Sequence, residues 1–466
     1  MSVFIALAAL VFLMVMAYRG YSVILVAPVA AMGAVFLVDP SSVAPVFSGV
    51  FVEKVATFVK LYLPIFLLGA VFGKVVEISG FSEAIVSSAI RHFGKSKANL
   101  VIVAVCGLMT YGGVSVFVVV FAVYPFAAEL YKQNNIPKRL LPGALALGSF
   151  SFTMDAMPGT PQIQNIIPTT FFNTTSWAAP ILGICGSLFV VTIGLLYLEY
   201  RRKSVTKTGE GYGEGHINEP ERTQLASLPS PALAIIALLI VGVTNYLLST
   251  YIPHWFESSF TVESSLFPGA TGTIAGKTSS VAAIWAVAGA LLCGILFVCI
   301  VAFRQVSTRF AASTKQAVSG ASLAALNTAS EYGFGSVIAI LPGFVAVSGA
   351  LQYLTDPLIK AAVSVSTLAG ITGSASGGLS IALAAMGDQL TNAANAAAIP
   401  LEVMHRIVSM ASGGMDTLPH NGAVITLLAV TGLTHKQSYH EIFGITIIKT
   451  LAVFFVIALY YGFGLV

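Results

Sequence analysis

Apolar runs long enough to cross about 30 Å of hydrocarbon follow one another from one end of this chain to the other, and few folds accommodate them. The first, "MSVFIALAALVFLMVMAYRG", has no basic residue ahead of its apolar core and no small-residue cleavage site before the next run. It therefore reads as a retained helix rather than a leader. Only 9% of the 466 residues are charged, where a soluble domain carries roughly a quarter. The expectation is an all-α polytopic membrane protein with no soluble domain of useful size, so that any binding chemistry lies in the membrane.

Spans are expected at about 2–18, 21–38, 61–78, 138–172, 177–200, 231–252, 280–303, 331–353, 400–432 and 441–466. Alternate connections then hold Arg19; Arg91, Lys95 and Lys97; Lys132, Lys138 and Arg139; Arg201, Arg202, Lys203, Lys207 and Arg222; Arg304, Arg309 and Lys315; and Lys436. The other connections have scattered cations such as Lys54, Lys277 and Arg406. The positive-inside rule places the first set in the cytoplasm and both termini outside. This sorting requires 98–130 and 357–398 to enter and leave on one side, as re-entrant hairpins with the tips "TYGGVS" and "GSASGGLS". Two ordinary helices joined by a very short turn sort the charges equally well.

The chain also echoes itself. "TMDAMPGT" at 153–160 returns as "GMDTLPHN" at 414–421, with Asp155 and Asp416 lying 261 positions apart. "YGGVSVFVV" at 111–119 returns as "SGGLSIALA" at 376–384, with Gly113 and Gly378 lying 265 apart. Two motifs in the same order at nearly one offset predict an internal repeat, and five intervening crossings make it inverted. The expected division is a first repeat over 1–200, a linker over 201–228 and a second repeat over 229–466. Each repeat has a hairpin (about 98–130 and 357–398) and a broken helix (about 138–172 and 400–432). Transporters of this build bind substrate and coupling ion at discontinuous helices near the midplane. The linker "RRKSVTKTGEGYGEGHINEPERTQLASL" reads as flexible and solvated.

Pro158 and Pro161 predict a helix break near Asp155, and Pro419 does the same after Asp416. A helix resuming beyond such a break points free amides and its positive dipole end into the gap, which suits an anion. The hairpin tips add the amides of Gly112, Gly113, Gly377 and Gly378. Ser115, Thr160, Gln162, Ser374, Ser376, Ser380, Thr417 and Asn421 supply hydroxyls and amides for a small polar solute. For any one of them alone, capping or bonding back to its own helix is the competing role.

Asp155 and Asp416 are ionisable groups at membrane depth, functional by default unless each merely caps a broken helix. His420 is either a proton carrier or a satisfied polar residue at the break. Glu129, Glu331 and Asp388 read as interfacial. Cys106, Cys185, Cys293 and Cys299 lie in apolar runs without metal-ligand spacing and read as core packing. No triad, metal or nucleotide signature is present, and the net charge of +4 gives no footing for a nucleic-acid partner. The amphipathic stretch 49–60 reads as a helix along the outer surface, 78–97 as its cytoplasmic counterpart, and 314–328 as a further horizontal helix.

The hairpin "TYGGVSVFVVVFAVYPFAAEL" together with "MDAMPGTPQIQNIIPTTFFNTT" and "GGMDTLPHNGAVI" resembles the gluconate:proton symporter (GntP) family of the ion transporter superfamily. The likeness covers essentially the whole chain and is nearest to that family's D-beta-hydroxybutyrate permease branch. It implies secondary transport of a small organic anion, an inverted-repeat fold, dimerisation, elevator-like movement of the hairpin-bearing part and a bacterial inner-membrane location. "MPGTP" stands where sugar-acid members carry a "PPHPGP" type string, which turns the expectation from gluconate towards a short hydroxy-monocarboxylate such as 3-hydroxybutyrate. Proton coupling through Asp155, Asp416 or His420 is expected, with no other cofactor. Competing readings are a gluconate, sugar-acid or D-serine permease, a sodium-coupled carboxylate carrier, a channel, and an intramembrane enzyme pairing Asp155 with Asp416 as acid and base.

Overall fold

Nearly every apolar run becomes a helix, because in hydrocarbon a lone segment satisfies its own backbone only that way. The computed structural model describes the whole chain except residues 1, 20, 95–96, 115, 220–228, 263–273, 344–353 and 420. Five helical runs among the described residues are long and apolar enough to cross a membrane: Pro40–Ile78, Pro180–Lys207, Pro231–Phe256, Ala282–Val301 and His435–Phe463. Leu196, Leu239, Leu296 and Leu451 stand more than half exposed on the last four, as on a lipid-facing belt.

Apart from the short helix Phe81–Phe93, the described elements of both halves follow the same order. In the first, the long helix Glu53–Ile78 and the short helix Phe81–Phe93 precede a hairpin with arms Ala98–Tyr111 and Val116–Gln133. Leu141–Ser149 then breaks, a ten-residue arm resumes at Ile163–Phe172, and Pro180–Lys207 closes the half. In the second, the long helix Phe310–Ile340 leads to a hairpin with arms Pro357–Thr372 and Ala375–Ala396. Leu401–Gly413 breaks, a ten-residue arm resumes at Gly422–Thr431, and His435–Phe463 closes. Local signals explain the boundaries. Pro180, Pro231 and Pro357 open their helices, and the ten-residue arms end at left-handed Asn173 and Gly432.

The halves interlock. Ile163–Phe172 packs on the second hairpin's Ala375–Ala396 and on Leu401–Gly413, whereas Gly422–Thr431 packs on the first hairpin's Val116–Gln133. The closing helices lie antiparallel. The N–H of Ile181 donates to the carbonyl of Val466 (3.2 Å), Phe189 stacks on Phe455 with centroids 4.6 Å apart, and Arg201 donates to Glu441 (2.8 Å). Arg139 reaches the same Glu441 (3.6 Å), so cations that the charge sorting assigns to one side do meet in one cluster. A two-stranded antiparallel ribbon, Ser259–Val262 with Ile274–Lys277, joins Pro231–Phe256 to Ala282–Val301; the apolar pattern gave no sign of it.

Five expectations are corrected. Residues 49–60 are no separate surface helix: they belong to one helical run, Pro40–Ile78. Residues 314–328 likewise lie inside the continuous helix Phe310–Ile340, and Pro64 sits within the first run without ending it. The amphipathic pattern reflects burial of these two helices against each other, with the Phe58 and Tyr332 rings 5.7 Å apart. The linker is not free in solvent over its described part: 201–207 prolong the preceding helix, and the following residues are strapped down. The N–H of Tyr212 donates to Asn135 (3.0 Å), Lys138 donates to the Ile217 carbonyl (3.1 Å) and pairs with Glu219 (2.8 Å), and Asn218 donates to the Ala429 carbonyl (2.9 Å). Of the cysteines, Cys106 is buried in the core but Cys293 is exposed on the outer face of its helix. Finally, Glu331 is buried rather than interfacial, at 7% exposure, whereas Asp388 is exposed and Glu129 half-buried.

Candidate functional site at the two helix breaks

In the first half the helix stops at Ser149, makes one turn over Phe152–Asp155, and resumes at Ile163. Pro158 and Pro161 occupy the gap, where a helix would lack their amides. Gly159 is left-handed (φ 79°) and lies so close to Trp177 that a Cβ would sit 2.3 Å from the ring.

Arg406, on Leu401–Gly413, clamps this gap from the second half. Fully buried, it donates from Nη1 to the Asp155 carbonyl (3.0 Å) and Asn165 Oδ1 (2.9 Å), and from Nη2 to the Ala178 carbonyl (2.7 Å). Ser409 donates to the same Asp155 carbonyl (2.8 Å). His405 bonds through Nδ1 with Thr174 Oγ1 (2.6 Å) and through Nε2 with Asn165 Oδ1 (3.3 Å). A buried guanidinium is costly unless every donor is engaged. Here the loose carbonyls of a broken helix engage it.

Asp155 ends its short helix, so it is not an N-cap. Its Oδ2 faces Lys449 Nζ at 3.6 Å, and Lys449 also donates to the Phe150 carbonyl. The carboxylate rests on Gly413, where a Cβ would fall 1.6 Å from Oδ2. Asp416 has other company. Its Oδ1 accepts from Asn421 Nδ2 (2.8 Å) and from the N–H of Ala375 (3.4 Å), and its Oδ2 from Gln164 of the first-half arm (3.5 Å). Asp416 thus helps to cap the second hairpin arm.

The candidate residues divide by role. Asn421 caps its arm through the amides of Ala423 (2.7 Å) and Val424 (3.3 Å) and donates to the Gly373 carbonyl (2.8 Å). Ser374 caps through Gly377 N–H (3.0 Å), Ser380 bonds back to the Ser376 carbonyl (2.7 Å), and the Ser376 hydroxyl lies 3.5 Å from that of Ser374. Thr417 shares a bond with Thr446 (2.7 Å). Gln162 staples the first hairpin tip through the carbonyls of Thr110 (2.8 Å) and Val114 (3.3 Å). The amides of Gly112, Gly113, Gly377 and Gly378 are each bonded within the chain; these glycines serve close approach instead. Ser115 and His420 lie outside the described residues.

Five buried polar atoms around the first break have no hydrogen bond within the chain: Thr110 Oγ1, Asp155 Oδ2, Thr160 Oγ1, Gln164 Oε1 and Trp177 Nε1. Folded proteins leave few such groups, and a cluster of them marks a place where a polar partner fits. Beside them the arm Ile163–Phe172 begins without a side-chain cap. Sequence reasoning missed Arg406, His405 and Lys449 as members of this site. The available signal was ionisable residues at mid-depth of the spans 400–432 and 441–466, each of which needs a partner somewhere in the fold.

Broken helices meeting hairpins inside an apolar bundle are the architecture of a polytopic membrane transporter. The sequence is similar to the uncharacterized transporter YxjC of Bacillus subtilis (strain 168), 53% identical over 475 residues and covering 100% of both chains. The chain belongs to the family of that transporter, among named transporters rather than enzymes. A solved structure, the YdaH transporter of Alcanivorax borkumensis, is similar with a TM-score of 0.48 at 13% identity, covering 89% of this chain and 88% of that one. No protein-family model matches the chain.

Proposed function

We propose that the protein is a proton-coupled symporter that imports a small hydroxy-monocarboxylate, with 3-hydroxybutyrate as the best-fitting substrate. The observation that carries this reading is the cluster of orphaned polar atoms beside the uncapped N-terminus of Ile163–Phe172. Free amides and the positive end of a helix favour a carboxylate, and Thr160 and Gln164 can meet its hydroxyl. Lys449 faces the Asp155 carboxyl, Arg406 lies on the backbone carbonyl of the same residue, and Asp416 is reached from the first-half arm by Gln164. A proton on either aspartate leaves the site net positive, so proton and anion enter together.

The matched order of elements and the antiparallel closing helices support an inverted repeat. The C-terminus lies at the end of the bundle away from the cluster of Arg139, Arg201 and Glu441, which supports periplasmic termini in a bacterial inner membrane. Membership of the gluconate:proton symporter family, elevator-like motion and a homodimer complete the proposal.

The test is uptake into proteoliposomes. Accumulation of 3-hydroxybutyrate driven by an inward proton gradient and abolished by a protonophore is the expected result. Uptake indifferent to both, or driven by sodium, overturns the coupling. Preference for gluconate or D-serine overturns the substrate.

A further inference from the structure

The tip of the second hairpin rests on a carboxyl group that the proposed proton pathway does not use. Glu331 sits on the long helix Phe310–Ile340, and a Cβ on Gly377 would lie 1.8 Å from its Oε2 and 2.9 Å from its Oε1. One turn further along both helices, a Cβ on Gly335 would lie 2.7 Å from the Cα of Ile381. The two helices therefore meet in a seam that only glycine permits, with the largely buried Glu331 carboxyl lying against its Gly377 backbone.

Nothing on the neighbouring elements neutralises that carboxyl. The helix Glu53–Ile78 brings Lys54 and Lys60, which form no ion pair with it, Lys74 and Glu77, paired with each other (2.8 Å), and Tyr62, whose hydroxyl is engaged by Thr170 (2.6 Å). Glu53 opens that helix, and Tyr332 follows Glu331 on its own. The short helix Phe303–Ser307 carries Arg304, also unpaired with Glu331, and Val23–Val38 carries no titratable group. The hairpin arm carries Asp388, eleven residues beyond Gly377, and at its start the Ala375 amide bonds to Asp416 (3.4 Å). Among the described residues Glu331 has no cation within ion-pair distance. A carboxylate buried without one is expensive.

We propose that Glu331 is a proton-dependent latch for the second hairpin: protonated, it packs against Gly377 and holds the tip closed, and on losing its proton it releases the tip from the long helix. Among the described residues the first hairpin tip has no such group. Gly112 and Gly113 are covered by Leu238, Leu291, Phe72 and Pro161. The latch deepens the proton-coupled reading by naming which hairpin the proton controls, and its test needs no substrate.

The reporter is Ser376→Cys in a full-length background with the four native cysteines replaced by alanine, labelled in membranes with a maleimide. Its rate is divided by that of the same reporter carrying Glu331→Gln at each pH, which removes the pH dependence of the thiol. The ratio is expected to rise about tenfold with pH, the factor that one pKa unit of difference between closed and open tips carries. A flat ratio overturns the latch. Gly377→Ala, which forces the carboxyl off the tip, is expected to bring low-pH labelling up to the high-pH level; unchanged labelling contradicts the seam. If the ratio rises while uptake ignores the proton gradient, the latch stands and the symport reading falls.

Discussion

The two helix breaks carry the same Asp-x-x-Pro signature yet are built differently. The first is held by charge: Arg406 closes on three backbone and amide oxygens of the gap, and Asp155 faces Lys449. The second is held by neutral groups, with Asn421, Gln164 and the Ala375 amide around Asp416. The hairpin tips differ in the same sense. Gln162 and Tyr111 pin the first into its own break, Tyr111 donating to the Pro158 carbonyl (3.1 Å), while the second leans on an ionisable residue. A repeated motif has thus been given a fixed half and a half that answers to protonation.

The largest effect separating the two is expected from Arg406→Ala. It leaves the Ala178 carbonyl without its side-chain donor, takes one of two partners from the Asp155 carbonyl and the Asn165 amide oxygen, and empties a fully buried site, at a cost of about 3–5 kcal/mol. Thermal unfolding in detergent should show a protein close to unfolded at growth temperature. Lys449→Met comes next, at about 1–3 kcal/mol, because it strands Asp155 and the Phe150 carbonyl. Asp155→Asn in the same chain should recover part of that loss, whereas among the described residues Asp416 forms no ion pair whose removal needs such rescue. Failure of the double variant to recover stability would remove the distinction between the breaks. Asn421→Ala should cost about 1 kcal/mol as a lost N-cap, and Gln162→Ala, which caps nothing, should instead loosen the first tip and raise its proteolysis.

The smallest effect lies in the strap. A hydrogen bond from Arg139 holds the Glu210 carboxyl below the usual carboxylate range. A depressed folded-state value means that the pair contributes above the ordinary value near 4.5 and loses its contribution as pH falls through the lower folded one. Glu210 is exposed and Arg139 half-buried, so water screens the gain. Glu210→Gln should lower the melting temperature slightly at neutral pH and leave it unchanged below the folded value, flattening the acid limb of the profile.

Much of this was legible in the sequence, for local reasons. Pro158, Pro161 and Pro419 mark the breaks, and the paired glycines mark the tips, because each acts on its own stretch of backbone. What escaped depends on distant partners. Arg406 looked like a stray cation because its acceptors lie more than 220 residues away. The strap looked solvated because its Gly and Glu content says nothing of Asn135, Lys138 or the Gly432 backbone waiting for it. The amphipathic stretch at 49–60 suggests a surface helix because a face buried against a partner helix has the same period as one lying on a membrane, and 314–328 suggests one only by its place before the second-half core.

The inequality of the two halves is tested most directly by hydrogen–deuterium exchange of the reconstituted protein, comparing the amides of 110–114 with those of 373–378. The first tip is expected to stay protected at every pH, while the second exchanges faster as pH rises. Equal protection of the two tips, or faster exchange at the first, would contradict the account.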